Sequence, residues 1–309
     1  MTAREIAFYT CVLIVLGACW GLTIPLSKIA VSTGHRHFGL IFWDVAIGVA
    51  FLGAVLGLRG KRLPVTGAAL RAYGVIALLG TLLPNAASYQ AIAHLPAGVM
   101  AIVLSLVPML AFPVALALGL DRFSLRRLAG LSVGLAGVLI LVLPETSLPD
   151  PAMLAWVPLA LVAPLCYAFE GNYVARWGTA GLDAVQVLAG GSLVAAALSL
   201  PLALATGQFI SPFRSYGPPE WALIASALIH AATYAGYVWL VGRAGSVFSA
   251  QVSYLVTGFG VLASLAILRE SYSPYIWMAL CLVLAGVFLV QPRRKEPLAP
   301  GPSIGETAR

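Results

Sequence analysis

Long apolar runs alternate with short polar or turn-forming breaks along the whole chain. A helix that crosses a bilayer needs about 20 mostly apolar residues, because each adds about 1.5 Å across a hydrocarbon core of about 30 Å. On this criterion the sequence predicts ten spans, numbered 1 to 10 in chain order, near residues 8–28, 38–58, 71–92, 97–119, 125–143, 154–175, 184–205, 220–241, 246–268 and 274–291. Residues 292–309 are polar and Pro-rich, and they are predicted to form a disordered cytoplasmic tail.

Composition places most of the surface of this chain in lipid. Of its 309 residues, 61% are hydrophobic and 9% are charged, and the mean hydropathy is +0.96. A soluble domain has about 45–50% apolar and about 25% charged residues. The net charge of +7 does not indicate nucleic-acid binding, because the basic residues lie in short clusters between apolar runs. The expected partners are therefore the lipid bilayer and a small-molecule substrate.

The basic clusters also predict the orientation of the chain in the membrane. With the N-terminus in the cytoplasm, fourteen of the eighteen Lys and Arg residues fall on the cytoplasmic side. The other four are Lys28, Arg36, Arg214 and Arg269. Such a bias predicts an even number of spans with both termini in the cytoplasm, as expected of a multi-pass protein of the bacterial inner membrane.

The four cysteines lie inside apolar stretches and lack the paired spacing of a metal site. They are interpreted as packing residues. The sequence therefore predicts no metal site and no cofactor.

The two halves of the chain resemble each other at a nearly constant shift. Ala136 to Leu141 matches Ala285 to Val290 at a shift of 149 residues. At the same shift Asp121 meets Glu270, and Ser124 meets Ser273. Further upstream, Cys19-Trp20-Gly21 matches Cys166-Tyr167-Ala168 at a shift of 147. Five spans per copy is an odd number, so the second copy is expected to enter the membrane from the opposite side.

These repeated residues also carry a resemblance to a known family. The stretch from Asn85 to Pro144 closely resembles the EamA family of the drug/metabolite transporter superfamily. The motifs that carry the resemblance are Leu104-Ser105-Leu106-Val107-Pro108, Asp121-x-x-Ser124 and Gly130…Gly137, then Ser253-Tyr254-Leu255, Glu270-x-x-Ser273 and Gly286, together with Trp20-Gly21 in span 1. Thr257 stands where second copies of this family commonly have Pro, which puts in doubt a kink in span 9.

The predicted fold class is therefore an all-α membrane protein, with ten transmembrane helices in two inverted five-helix repeats at 8–143 and 154–291. The resemblance implies a transporter of the kind associated with export of amino acids and other metabolites. We expect a secondary, non-ATP transporter that works by alternating access, because the sequence contains no P-loop. A channel or receptor is the alternative. A membrane-embedded enzyme is less favoured, since the ionisable residues are scattered.

Ionisable residues within the spans are expensive in lipid, so each is a candidate functional group. Lys28 and Asp44 lie toward the same side of the membrane, and either an ion pair or an outer gate is expected of them. Glu170 in span 6 could pair with a neighbouring basic loop at Arg176, or it could bind a substrate ammonium or a proton. Asn172 follows it, as a second binding residue or as an interhelical hydrogen-bond link.

His230 falls near the middle of span 8. Its repeat counterpart is Thr81, and Tyr234 one turn later matches Asn85. A buried neutral His bonded to a carbonyl is the alternative to a cavity role. The predicted substrate-binding set is Trp20, Asn85, Tyr89, Glu170, Asn172, His230, Tyr234, Gln251 and Tyr254. Gly130, Gly134 and Gly286 permit close helix packing, and they are interpreted first as scaffold contacts and second as the face of a homodimer.

Overall fold

The computed structural model of the chain describes residues 3–142, 148–244, 246–249 and 251–290, and every regular element within these ranges is helical. The predicted tail at 292–309 lies outside the described residues. In chain order the α-helices are α1 (Ala3–Ala30), α2 (His37–Leu58), α3 (Gly67–Ala77), α4 (Leu83–His94), α5 (Ala97–Leu104), α6 (Val107–Ala117), α7 (Leu125–Val142), α8 (Val157–Ala160), α9 (Val162–Trp177), α10 (Ala184–Ala205), α11 (Pro218–Ala244), α12 (Ser246–Ser249), α13 (Val252–Leu268) and α14 (Pro274–Val290). A π-helical turn, Leu78–Leu82, joins α3 to α4, and a 3₁₀ turn, Pro151–Trp156, precedes α8.

The apolar helices are long enough for a multi-pass membrane protein. Among the described residues, seven helical segments have the length and hydropathy to cross a bilayer, and the shorter apolar helices Val252–Leu268 and Pro274–Val290 follow them. The fold is thus that of an all-helical membrane protein, while the count of ten spans stays a prediction.

In three predicted spans the helix is interrupted shortly before a proline. The π turn precedes Pro84, the break between α5 and α6 precedes Pro108, and the break at Leu161 precedes Pro164. Proline has no N–H for the helix ladder, and its ring clashes with the carbonyl four residues earlier. By contrast, α13 runs unbroken through Thr257, whose hydroxyl donates to the Ser253 carbonyl at 2.9 Å.

Contacts between loops define two ends of the helix bundle. At the Glu220 end, His35 Nε2 lies 2.8 Å from Glu220 Oε1, and the Phe38 N–H donates to Gln208 Oε1 at 3.0 Å. At the Asp183 end, Lys61 Nζ lies 2.5 Å from Asp183 Oδ2. Burial by itself would raise the pKa of Asp183, but hydrogen bonds from Lys61 and the Gln186 N–H hold this pKa below its ordinary value.

Helices of the two halves pack against each other in antiparallel pairs. Helix α2 begins at the Glu220 end, where α10 ends. At the Asp183 end α2 ends and α10 begins, and the two segments are again in contact. Helix α7 packs against α14 in the same sense, with Gly130 against Gly286 and Gly137 against Val283. The predicted close-packing face of these glycines is therefore covered within the chain.

Candidate functional site

The π turn between α3 and α4 opens a place for a carboxylate. Pro84 would clash with the Gly80 carbonyl in a regular helix, and a wider π turn relieves such a clash. Glu170 of α9 fills the space beside this turn. A Cβ at Gly80 would lie 2.6 Å from Glu170 Oε1 and 2.9 Å from Oε2. Only a residue without a side chain therefore allows the carboxylate to lie against this backbone.

Glu170 has no ion pair and no hydrogen bond with any residue that the structure describes. The expected alternative, a salt bridge to Arg176, is thus not formed. Its electrostatic neighbours are the Tyr167 and Tyr234 phenols and the Cys166 thiol. An unpaired carboxylate in a membrane-spanning helix is costly, so it marks a place where a cation or a proton would be favoured.

An aromatic group around His230 joins α1 to α11. The Trp20 Nε1–H donates to His230 Nδ1 at 3.2 Å. The Trp20 ring also lies 6.4 Å from the Tyr234 ring and 5.6 Å from the Tyr237 ring, between centroids. Because Nδ1 accepts this hydrogen bond, the neutral imidazole carries its proton on Nε2 and presents a donor on its other side. The alternative of a His bonded to a backbone carbonyl is not what the geometry shows.

The direction of His230 shows that it faces the interior of the bundle. Leu228 is 42% exposed and belongs to the outward face of α11, together with Trp221 and Trp239. Two residues along a helix turn the side chain by about 200°, so His230 points away from that face. The residue is nonetheless exposed. An exposed side chain that points inward borders an open space between the helices.

Tyr234 links the aromatic group to Glu170, because it is an electrostatic neighbour of the carboxylate and also contacts Trp20. Asn85, its predicted counterpart, is half-buried at the start of α4. Asp44 of α2 joins the same region, since it is an electrostatic neighbour of both Tyr89 and Tyr167. We call Trp20, Asp44, Tyr89, Tyr167, Glu170, His230 and Tyr234 the central polar group.

Lys28 forms no ion pair with Asp44 in the structure described, and the outer gate expected of these two residues stays a prediction. The Lys28 ammonium instead donates to three backbone carbonyls where α4 ends, those of Ile92 at 2.6 Å, Ala93 at 3.2 Å and Leu95 at 3.0 Å. These carbonyls lack helical donors, and a cation at a helix C-terminus also complements the helix dipole. Lys28 thus ties α1 to the end of α4.

The other predicted residues lie apart from the central polar group. The Asn172 amide donates to the Ala111 and Ala168 carbonyls at 3.0 and 2.8 Å, which fits the alternative of an interhelical link. Gln251 is exposed at the start of α13. The Tyr254 hydroxyl is buried without a hydrogen-bond partner, with Arg126 as its electrostatic neighbour. No contact among the described residues joins Gln251 or Tyr254 to Glu170.

Sequence reasoning missed three residues of this site, namely Gly80, Tyr167 and Tyr237. The spacing Gly80-x-x-x-Pro84 was the available signal for the π turn, since a helical proline disturbs the carbonyl four residues before it. Tyr167 is the repeat counterpart of Trp20. An aromatic at both equivalent positions was therefore a signal that both line one site.

Two cavities lie elsewhere, at the Glu220 end. One of about 230 Å³ is lined by Trp43, Ile210 and Glu220 among others, and one of about 320 Å³ by His35, Gln208 and Arg214 among others. Neither is lined by Glu170 or His230. We place the candidate site at the central polar group, because Glu220 is already paired with His35 and Arg214 whereas Glu170 has no described partner.

Comparison with known proteins agrees with this fold. A solved structure described only as "Crystal structure of protein" is 20% identical, with a TM-score of 0.61, over 90% of this chain and 95% of that chain. This likeness extends to the fold alone. No curated protein matches the sequence. The profile of the EamA-like transporter family matches residues 7–143 and 154–291, and the chain therefore belongs to the EamA-like transporter family.

Proposed function

We propose that the protein is a secondary transporter that exports a small metabolite, such as an amino acid or an amphipathic compound, by alternating access. One observation carries this proposal. Glu170 has no described partner and lies against Gly80 inside a membrane-spanning bundle, beside the aromatic group around His230. A carboxylate kept unpaired at such a cost is available to a cargo cation or to a coupling proton.

The two halves are proposed to act as inverted five-helix repeats, 8–143 and 154–291. The antiparallel pairs of α2 with α10 and of α7 with α14 support this arrangement. In the two halves α1 corresponds to α9, and α11 corresponds to the α3–π–α4 segment. The contacts of α1 with α11 are therefore the counterparts of those that α9 makes with α4 and the π turn. Inverted halves around a central site can expose that site to either side by rocking against each other.

Glu170 is proposed as the counter-charge to a substrate ammonium. His230 is proposed as a hydrogen-bond partner, since its Nε2–H remains after Trp20 has bound Nδ1. The rings of Trp20 and Tyr234 supply apolar and cation-binding faces for the remainder of the cargo. An amine-bearing metabolite of modest size satisfies these three features together.

The test is transport by purified protein in liposomes, with a panel of amino acids and uncharged amphipathic metabolites as probes. Glu170→Gln should insert normally and lose most transport, because an amide cannot neutralise an ammonium. Asp150→Asn is the matched control, since Asp150 is exposed and caps only a 3₁₀ turn. Flux should saturate with substrate, as expected of a carrier. Flux that never saturates would indicate a channel, and full activity of Glu170→Gln would remove Glu170 from the site.

Orientation is proposed from the basic residues, with both termini in the cytoplasm of a bacterium and ten spans between them. Reporter fusions after residues 60, 124, 180 and 243 should then report the cytoplasm, and those after 148 and 213 the outside. Reversed results at two of these sites would overturn this topology.

A further inference from the structure

The loop between α1 and α2 meets the loop between α10 and α11 around a polar cavity. Its volume is about 320 Å³, and it is lined by Arg36 of the first loop and by Arg214 of the second. Gln208 also lines it and accepts the Phe38 N–H, which ties the two loops together. Two of the four basic residues that run against the charge bias of the chain therefore line one cavity.

The charges around this polar cavity do not cancel. The buried Glu220 carboxylate pairs with the Arg214 Nε at 3.3 Å, and this contact uses one of the five N–H donors of the guanidinium. Arg36 is exposed and forms no ion pair with any residue that the structure describes. Among the described residues that line the polar cavity none is acidic. With His35 neutral, the charge of Arg36 stays uncompensated, and it favours a monovalent anion such as a phosphodiester.

An apolar cavity adjoins the polar one. Ile210 lines both cavities. Glu220 lines the apolar cavity and contacts His35 and Arg214, which line the polar one. The other apolar walls come from the membrane-spanning helices α2 and α11, through Trp43, Ile47, Leu223 and Ile224. A polar place for an anion and an apolar place for a hydrocarbon thus lie side by side.

The apolar cavity extends from the end of the bundle along its helices. Ile47 lies ten residues after His37, the first residue of α2, and ten helical residues rise about 15 Å. This is about the hydrocarbon thickness of one leaflet, half of a core of about 30 Å. The cavity volume of about 230 Å³ lies below the roughly 300–1,000 Å³ of pockets for drug-sized ligands. The shape therefore suits one flexible chain better than a bulky cargo.

Aromatic side chains place this end of the bundle at the membrane surface. Phe213 and Trp221 are 96% and 61% exposed. Tyr216, which lines the apolar cavity, lies 5.5 Å from Trp221 between ring centroids, and Phe209, which lines the polar cavity, lies 6.1 Å from Trp43. Trp and Tyr are enriched where hydrocarbon meets water. Both cavities thus lie at the level where the headgroup of a lipid joins its chains.

We propose that the two cavities together bind one anionic phospholipid, with its phosphate between Arg36 and Arg214 and one acyl chain between α2 and α11. The polar cavity supplies the positive charge for the phosphodiester. The apolar cavity takes a chain that a free anion lacks. Because one loop belongs to each half, the bound lipid joins the two halves at the Glu220 end. This site is separate from the central polar group, and it is independent of the identity of the cargo.

The headgroup is tested by native mass spectrometry of the purified full-length protein in detergent, without cargo. The protein is titrated with dioleoyl phosphatidylglycerol or dioleoyl phosphatidylcholine, which have the same chains and differ in headgroup charge. The anionic lipid should bind about fivefold more tightly, the contribution of one arginine near a membrane surface. Arg36→Gln should remove this preference. Arg62→Gln, an exposed loop arginine at the Asp183 end, is the matched control and should keep it.

Two results of this titration would overturn the proposal. One is equal affinity of the parent protein for the two lipids, because it would mean that no anion is recognised. The other is an equal loss in Arg36→Gln and Arg62→Gln, because it would mean that the anionic lipid follows the general positive charge of the chain. Inorganic phosphate at the same concentration should not displace phosphatidylglycerol. Displacement by phosphate would identify a site for free anions and refute the lipid.

The acyl chain is tested by filling the apolar cavity without a change of charge. Ile47→Trp should weaken binding of both lipids by about tenfold, since each CH₂ that leaves an apolar site costs about fourfold in affinity. Leu228→Trp, on the outward face of α11, is the control and should change neither affinity. Ile224→Phe fills the opposite wall and serves if Ile47→Trp does not fold. Unchanged lipid binding in the cavity-filled variant would contradict the proposal, whatever the transport assays show.

Discussion

The α3–π–α4 segment and helix α11 occupy equivalent places in the two halves, yet they are built differently. The first has Gly80 and Pro84, and its helix widens into a π turn against the Glu170 carboxylate. In the second, Ile229 and Thr233 stand at the corresponding positions, and the helix is regular from Pro218 to Ala244.

The difference shows how one architecture provides two kinds of polar site. Where a proline and a glycine make the backbone irregular, a carboxylate of the partner helix can lie against the main chain. Where the helix stays regular, the polar group is a side chain of the helix itself, His230, held by Trp20. A repeat can therefore keep its packing pattern while the chemistry of its two halves diverges.

The largest effect is expected at Gly80. Gly80→Val places atoms where the Glu170 carboxylate now lies, so the carboxylate must leave the site, and transport should fall by about a hundredfold or more, as for a misplaced binding group. Flux in proteoliposomes measures this. The matched control is Ile229→Val at the equivalent position of α11, which should retain near-parental transport. Normal transport by Gly80→Val would show that Glu170 does not act from the position described.

Thr233→Pro tests whether α11 tolerates a proline at the position that corresponds to Pro84 of the first half. Thr233 is buried, and a proline there would clash with the Ile229 carbonyl, because α11 has no π turn at this point to relieve the clash. An interior helix proline costs about 3 kcal/mol, so the free energy of unfolding in detergent should fall by about that amount. Pro84→Thr, the reverse exchange, should not lose stability. A stable Thr233→Pro variant would mean that the two helices are interchangeable.

Pro84→Ala supplies a backbone N–H at position 84 of α4, directly after the π turn. The segment should relax toward a regular helix and rotate Gly80 relative to Glu170, because the clash with its carbonyl is gone. We expect transport to fall by about tenfold without loss of unfolding free energy, since alanine favours helix. Titration of flux against substrate would show the loss in apparent affinity. An unchanged affinity would mean that the π turn has no part in binding.

The smallest effect is expected from Trp20→Phe, which alters the contact between α1 and His230 of α11. Phenylalanine keeps the ring but removes the N–H that binds His230 Nδ1. One such hydrogen bond contributes about 0.5–1.5 kcal/mol, so apparent affinity should weaken by about two- to tenfold. Trp239→Phe, on the outward face of α11, should leave affinity unchanged. If Trp20→Phe proved as damaging as Gly80→Val, the two sites would not differ as described.

Much of the fold follows from the order of apolar and polar residues. Lipid requires every span to satisfy its own backbone, so length and hydropathy locate helices well, and helical segments coincide with the predicted ones from α1 to α14. The self-similarity at 149 residues likewise pointed to two related halves, and the family match spans both of the predicted segments. The four-residue spacing from Gly80 to Pro84 is also visible in the sequence, but the π turn that accompanies it was not predicted.

Which side chains meet depended instead on how the helices pack. Lys28 and Asp44 look paired along the chain, yet three carbonyls at the end of α4 lie nearer to Lys28. Glu170 looks close to Arg176, yet it contacts Gly80, ninety positions away. Sequence periodicity gives the face of a helix on which a residue lies. Only the packing of α9 against the π turn, and of α1 against α11, brings Glu170, His230 and Trp20 to one region, because their separation along the chain carries no information about distance across it.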